Sequence, residues 1–339
     1  MLRLLIASLA LFPAVSARAL DMALETVDLA VEVTGIEATS RGGVGGGAGA
    51  YVLTGEGTLL ATPCGGDWCL DAVEPDPVPA PPPGPPAPLP DGGVAAAPGT
   101  PALAWYVMPT DRYAHGVLGD AIEGGGLAVS LSGDAASPTV ATLPDSDVFE
   151  DIAPRLVDLD GDGGNEVVTL MSGAGSGGSL AVWGVRDGAL ALLARTPAIG
   201  RPNRWLNVAA IEDFDGDGAL DVALVETPHI GGELQLWSGA SLLAGAPREL
   251  AALRGFSNHA IGSRALDLAE TVATADGPVL VVPGADRRAL RAMRYANGGW
   301  SEVARLDLPG AVATDIASVG ADLVLGLADG TLVRVRLGR

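Results

Sequence analysis

The sequence repeats an acidic segment, and this repeat limits the folds open to the chain more than any other feature. DLDGDGGNE begins at Asp158, and DFDGDGALD begins 55 residues later at Asp213. Each segment is followed by an apolar run, a turn with two glycines, and a second apolar run that ends in Trp183 or Trp237. One repeat therefore holds several strands. Repeats of about 40 to 60 residues with several strands are typical of β-propeller blades, whereas solenoid coils repeat at shorter periods.

Weaker copies of the repeat lie on both sides of this pair. YAHGVLGDAIEGGGLAVSLSG precedes it, and TVATADGPVLVVPGADRR and DIASVGADLVLGLADG follow it, without a complete acidic cluster. The chain has 48 Gly and 25 Pro but only four Phe and four Tyr, which indicates many turns. We predict an all-β fold, a β-propeller with six blades. Five to seven blades are left open, and a β-sandwich is the alternative architecture.

The spacing of carboxylates in the two acidic segments predicts calcium loops. Acids stand at positions 1, 3, 5 and 9, and glycines at positions 4 and 6 let the chain curl around a centre. Hard oxygen ligands in this number suit Ca²⁺. An EF-hand is excluded, because it needs flanking helices and a glutamate at position 12, where this chain has Thr169 and Leu224. The predicted ligands, with one backbone carbonyl in each loop, are Asp158, Asp160, Asp162, Gly164 and Glu166 for one ion, and Asp213, Asp215, Asp217, Ala219 and Asp221 for a second.

With these loops, the sequence resembles the FG-GAP and VCBS repeat family. The resemblance covers two full repeats, from Arg155 to about Leu253, with weak copies from about Tyr113 onward. A Gly-Ala-Pro occurs at 245–247, but no Phe-Gly accompanies it, so the VCBS-like variant is the closer match. The resemblance implies a β-propeller like the integrin α-subunit head, Ca²⁺ bound through DxDxDGxxD loops, and an exported bacterial protein with a binding role.

The chain divides into four predicted segments. Residues 1–19 have a basic start, an apolar run and small residues before the end, which predicts a signal peptide cleaved after Ala19 and export to the periplasm or the outside of the cell. Residues 20–73 hold short strands that we assign to a first blade. Residues 74–102 form a proline-rich linker or loop, and residues 103–339 form the main propeller body. No later stretch is long and apolar enough to span a membrane.

The only two cysteines, Cys64 and Cys69, lie close together in CGGDWC. In an oxidising compartment this flexible segment can close on itself, so we predict a local disulfide, with two free thiols as the alternative.

Charge excludes several classes of partner. The formal net charge is −21, which disfavours nucleic acids and anionic membrane surfaces, since both are polyanions. All 20 basic residues are arginines. The absence of lysine from the sequence excludes a Schiff-base lysine and a phosphate-binding P-loop.

The predicted oligomeric state is a monomer.

Polar residues recur just before the first strand of successive repeats. In a propeller these positions approach one mouth of the central channel, opposite the calcium loops, and we assign them to a ligand site: His115, Asp151, Asn203, Arg204, Asn258 and His259. No residue is assigned a catalytic role, because the sequence has no specific catalytic signature. We therefore expect a non-catalytic binding module for a protein or glycan. The alternative is an exported hydrolase or lyase that uses the mouth residues for acid–base chemistry.

Overall fold

A computed structural model of the chain describes residues 20–39, 49–75, 80–133 and 137–338. Within these ranges the chain forms 25 strands and one short helix. The strands are β1 (Asp21–Val27), β2 (Val33–Ala38), β3 (Ala50–Thr54), β4 (Gly57–Cys64), β5 (Asp67–Val73), β6 (Val94–Ala96), β7 (Leu103–Thr110), β8 (Glu123–Ser130), β9 (Thr139–Thr142), β10 (Asp147–Phe149), β11 (Arg155–Val157), β12 (Glu166–Gly173), β13 (Gly177–Arg186), β14 (Ala189–Arg195), β15 (Leu206–Glu212), β16 (Asp221–Glu226), β17 (Glu233–Trp237), β18 (Glu249–Arg254), β19 (Glu270–Thr274), β20 (Gly277–Pro283), β21 (Ala289–Ala296), β22 (Gly299–Asp307), β23 (Ala317–Val319), β24 (Asp322–Gly326) and β25 (Leu332–Gly338). The helix, α1, spans Gly239–Leu243.

The described strands form five antiparallel sheets. Three sheets are meanders of four consecutive strands: β2 to β5, β15 to β18, and β19 to β22. A fourth joins β23, β24 and β25 to β1. The fifth has nine strands, from β6 to β14, in which both β10 and β11 pair with β12, and β10 also touches β8. The prediction of an all-β fold is confirmed.

The burial of each strand explains its composition. All eight residues of β12, EVVTLMSG, are buried, and so are the first five of the six residues of β16. Strands covered on both faces read as continuous apolar runs. By contrast, β14 and β22 mix exposed and covered positions, so they lie toward the outside of their sheets. The central strands therefore sit between neighbouring sheets.

Apolar cores fill the spaces between consecutive sheets. Leu170 of β12 shares a core with Leu224 of β16, and Leu234 of β17 shares one with Leu280 of β20. Further cores join β20 and β21 to β24 and β25, and β23 and β24 to β2 and β3. This serial face-to-face packing makes the fold propeller-like.

The first and last described strands pair with each other. β1 runs antiparallel to β25 over seven residues, from Asp21 opposite Gly338 to Val27 opposite Leu332. The sequence assigns residues 20–73 to one unit, whereas in the structure β1 completes the sheet of β23 to β25, and β2 to β5 form a sheet of their own. The fold thus brings together segments about 300 residues apart.

Other predictions have different outcomes. The Cys64–Cys69 disulfide is present, at the turn between β4 and β5, and confirms that prediction. β6 lies inside the proline-rich segment 74–102. The predicted signal peptide, residues 1–19, lies outside the described residues. In the described part of the chain, no helix has the length and apolar character needed to cross a membrane. The remaining segment boundaries stay predictions.

Candidate functional site

The two acidic segments form loops at equivalent places in the fold. The first links β11 to β12, and the second links β15 to β16. In each loop, three carboxylates can place one oxygen each so that all three atoms lie within 4.8 Å of one another. The groups are Asp158, Asp160 and Glu166 in the first loop, and Asp213, Asp215 and Asp221 in the second. Each group could hold a metal ion.

Glycines allow both loops to curl. Gly161 and Gly163 have φ of 74° and 89°, and Gly216 and Gly218 have φ of 77° and 92°. Residues with side chains rarely adopt this left-handed region. The curl turns backbone N–H groups inward. Gly163 donates to Asp158 at 2.9 Å, as Gly218 donates to Asp213 at 3.1 Å. The first carboxylate of each loop is thereby fixed in place.

The last carboxylate of each group is buried at the start of a strand. Glu166 accepts the N–H of Leu159 at 3.1 Å, and Asp221 accepts those of Phe214 and Gly239, both at 3.1 Å. Burial raises the pKa of Glu166 to about 7 and that of Asp221 to about 6; the three aspartates of the first loop add to the shift of Glu166, and Asp215 adds to that of Asp221. The loops are thus regions of concentrated negative charge.

The structure does not bring every predicted metal ligand into these groups. Asp162 accepts the N–H of Gly164 at 2.7 Å, and Asp217 accepts that of Ala219 at 2.9 Å. Their carboxylates therefore stabilise the loop backbone beside the three-carboxylate groups. The sequence could not show which carboxylates of a loop group together, because that depends on how each side chain is rotated and not on the spacing of the residues.

The predicted ligand residues fall into two clusters, with one partly exposed side chain outside both. In the first cluster, His115 Nδ1 lies 2.5 Å from Glu150 Oε1. The Tyr113 ring packs edge-on against His115, and its hydroxyl accepts the N–H of Asn203 at 3.2 Å. Asp151 lies nearby but is fully buried, where it pairs with Arg155 and accepts the hydroxyl of Tyr106 at 3.3 Å. Burial raises the pKa of the Asp151 carboxyl.

The second cluster contains Asn258 and His259, both fully buried. The Asn258 amide donates to the carbonyls of Asn207 and Val208 at 3.2 and 3.1 Å. His259 Nδ1 lies 2.8 Å from His229 Nε2, and burial lowers the pKa of both histidines to about 4. Arg204 joins neither cluster: it is only partly buried and donates to the neighbouring carbonyl of Asn203 at 2.8 Å.

Trp205 connects the two clusters. The indole N–H of Trp205 donates to the carbonyl of Glu150 at 2.8 Å, and its ring lies 4.8 Å from that of His259 and 6.1 Å from that of His229. These contacts join residues between 24 and 55 positions apart. No local spacing signals them. Neither Trp205 nor His229 was assigned to the ligand site from the sequence.

Comparison with known proteins places a recognised repeat on the acidic loops. Residues 158–224 match the FG-GAP-like repeat, a range that begins at Asp158 and includes both loops. No curated protein sequence matches the chain. Among solved structures it is similar to a crystal structure of the mitotic checkpoint complex, with 11% identity and a TM-score of 0.42, covering 85% of this chain and 73% of that one. A likeness at that score supports no functional argument.

Proposed function

We propose that this chain, which carries an FG-GAP-like repeat at residues 158–224, is an exported, calcium-binding β-propeller that acts as a non-catalytic binding module. One observation carries the proposal. Two loops in register, both inside the matched range, each gather three carboxylates whose oxygens can lie within 4.8 Å. A cation offsets the repulsion among these acids.

Calcium fits the chemistry of the loops better than other divalent ions. The ligands are carboxylates and backbone carbonyls, and Ca²⁺ accepts six to eight oxygens in flexible geometry, whereas Mg²⁺ demands a near-ideal octahedron. Besides the three grouped carboxylates, each loop offers a fourth, Asp162 or Asp217, and a carbonyl, Gly164 or Ala219. Each fourth carboxylate lies two residues from a member of its group and can join it once a cation is bound.

We assign the sheets to six blades. Five blades consist of β2 to β5, β6 to β9, β10 to β14, β15 to β18, and β19 to β22. The sixth consists of β23 to β25 with β1, and the β1–β25 pairing supports closure of the ring by the two ends of the chain. Calcium would act at a distance from the ligand, by holding the loops between inner strands in a fixed conformation.

The second acidic loop and the predicted ligand residue Arg204 lie at opposite ends of β15. Arg204 and Trp205 precede β15, and Asp213 follows it. Seven residues at about 3.3 Å each put the two ends of the strand about 20 Å apart. A partner protein or glycan at the Arg204 end therefore would not touch the ion. The Cys64–Cys69 disulfide supports an oxidising location, the periplasm or the outside of the cell.

The enzymatic alternative has less support. Ser172 donates to Glu150, and His115 contacts the same carboxylate. A serine nucleophile needs a base within hydrogen-bonding distance of its hydroxyl. Here the serine and the histidine share an acid instead of contacting each other, so this network favours a structural role.

Calcium titration by isothermal calorimetry, with bound metal counted by mass spectrometry, tests the proposal. We expect two ions per chain. The double variant Asp160→Ala/Asp215→Ala should bind none and remain folded by circular dichroism in high salt. Parent protein that binds no calcium contradicts the proposal.

A further inference from the structure

A cavity of about 350 Å³ lies on the side of the second acidic loop. Its wall comes from the end of β15, from β19 and the hairpin that follows it, and from β23 and the turn after it. Glu212, the last residue of β15, reaches this wall and directly precedes Asp213 of the loop. The volume is that of a small-molecule pocket, and it exceeds what one ion or water needs.

The wall of this cavity combines polar and apolar side chains. Its hydroxyl groups come from Thr271, Thr274 and Ser318, and its apolar surface comes from Val272, Pro278 and Leu337, while Ala273 and Ala321 leave room between them. Among the described strands, β15, β19 and β23 are each the edge of a sheet. Alternate residues of an edge strand direct backbone N–H and C=O groups away from their neighbour. An extended ligand would therefore find hydrogen-bonding groups along the wall.

Glu212 places a carboxyl group on the wall. Its carboxylate accepts the N–H of Asp213 at 3.4 Å and, within the described part of the chain, forms no ion pair. A second carboxyl lies behind the wall, where Glu270 accepts the hydroxyl of Ser318 at 2.8 Å. The described wall contains no arginine.

One guanidinium approaches the wall from behind. Arg294 donates to the hydroxyl of Thr274 at 3.2 Å and lies 3.8 Å from the Asp276 carboxylate, which offsets its charge. The described wall also has no aromatic ring, so a flat ligand would have no stacking partner. These features favour an aliphatic cation that can donate hydrogen bonds.

We propose that this cavity binds a small aliphatic ammonium compound, with its ammonium group on the Glu212 carboxylate and its chain along the edges of β19 and β23. The proposal goes beyond the proposed function, whose protein or glycan partner lies at the Arg204 end of β15, and adds a second ligand. It places the ligand on the side of the acidic loops, at the opposite end of β15 from Arg204.

Two matched small molecules test the charge requirement. Calorimetry on the full chain in calcium compares 1,4-diaminobutane with 1,4-butanediol, which has the same chain but no charge. We expect the diamine to bind and the diol to bind at least about tenfold more weakly, because a charge-assisted hydrogen bond is about twice as strong as a neutral one. Equal binding of both, or binding of neither, overturns the proposal.

Two glutamate variants test the site. Glu212→Gln should lose the preference for the diamine. Glu226→Gln, which changes a similarly half-buried glutamate at the far end of the neighbouring strand, should keep it. Bound calcium is counted in both variants. Retention of two ions in Glu212→Gln supports the proposal, whereas loss of an ion would make Glu212 a metal ligand and refute the ammonium site. If the parent protein binds no calcium, the proposed function is contradicted instead. The comparison of the diamine with the diol still tests the cavity in that case.

Discussion

Glu123 is a buried carboxyl at the start of β8. It is 2% exposed and lies beside a small cavity that Asp91, Asp120 and Asp151 also line. Burial is the largest cause, and Glu150 the next, of a rise in its pKa to about 9. At neutral pH the native protein therefore holds a proton at Glu123 that the unfolded chain, with a pKa near 4.5, has released.

This difference makes stability depend on pH. Between pH 4.5 and 9 the unfolded state binds fewer protons at this position, so the free energy of unfolding falls as pH rises. Glu123→Gln, which is neutral at every pH, should remove that slope and raise the free energy of unfolding by about 1 to 3 kcal/mol at pH 8. Urea unfolding at several values between pH 5 and 8 measures the effect. Glu56→Gln, at an exposed turn, is the control, and parallel slopes for Glu123→Gln and the parent protein would contradict the prediction.

A substitution of Asp215 tests one proposed calcium loop separately from the other. Its carboxylate belongs to the second three-acid group, and the first group lies on a different sheet. Asp215→Ala should reduce bound calcium from two ions to one, while Asp276→Ala, in an exposed hairpin, should leave two. Metal counting after dialysis against calcium decides the matter. A variant that still holds two ions would mean that Asp215 is not a ligand.

At the scale of elements, pairing of β1 with β25 is the contact with the greatest sequence separation. It adds a seven-residue strand to the sheet, and Met22 and Leu24 of that strand pack against the core behind it. Removing β1 would leave β25 as an exposed edge, and exposed edges favour association with other chains.

A chain that begins at Asp28 instead of Leu20 should therefore be less stable. We expect its melting temperature to fall by more than about 5 °C and some dimer to appear, because both packing and backbone pairing are lost. Calorimetry and size-exclusion chromatography measure these changes. Glu25→Ala, which removes the ion pairs of Glu25 with Arg336 and Arg334 but keeps the strand, should change the melting temperature little, because the Glu25 side chain is exposed. A large effect of Glu25→Ala would mean that these ion pairs, and not the strand, stabilise the sheet.

The elements also show which features a sequence can predict. The acidic loops were predictable because all their carboxylates lie within nine residues, and glycine positions determine the curl. The contacts of Trp205 with His229 and His259 were not, because they form between separate sheets. The burial of Glu123 could not be predicted from the sequence either. Glu123 is the first residue of β8, where an exposed glutamate would be ordinary, and the loops that cover it come from distant parts of the chain.

At the scale of the whole molecule, the number of bound calcium ions should determine thermal stability. A ligand at 100 times its dissociation constant stabilises the native state by about 2.7 kcal/mol. Two saturated loops should therefore make the melting temperature fall in EDTA, and added calcium should restore it. Magnesium is the control and should restore less, because its octahedral preference suits these loops poorly. Identical melting curves in EDTA and in calcium would contradict the prediction.

The β1–β25 contact also has a consequence for biosynthesis. β1 is synthesised about 300 residues before β25, its one strand partner among the described residues. Until β25 has been synthesised, β1 cannot form this pairing. A polypeptide that stops before β25 never supplies the partner, so it keeps an extended segment that proteases can cleave. Resistance of each copy to proteolysis is thereby tied to synthesis of β25.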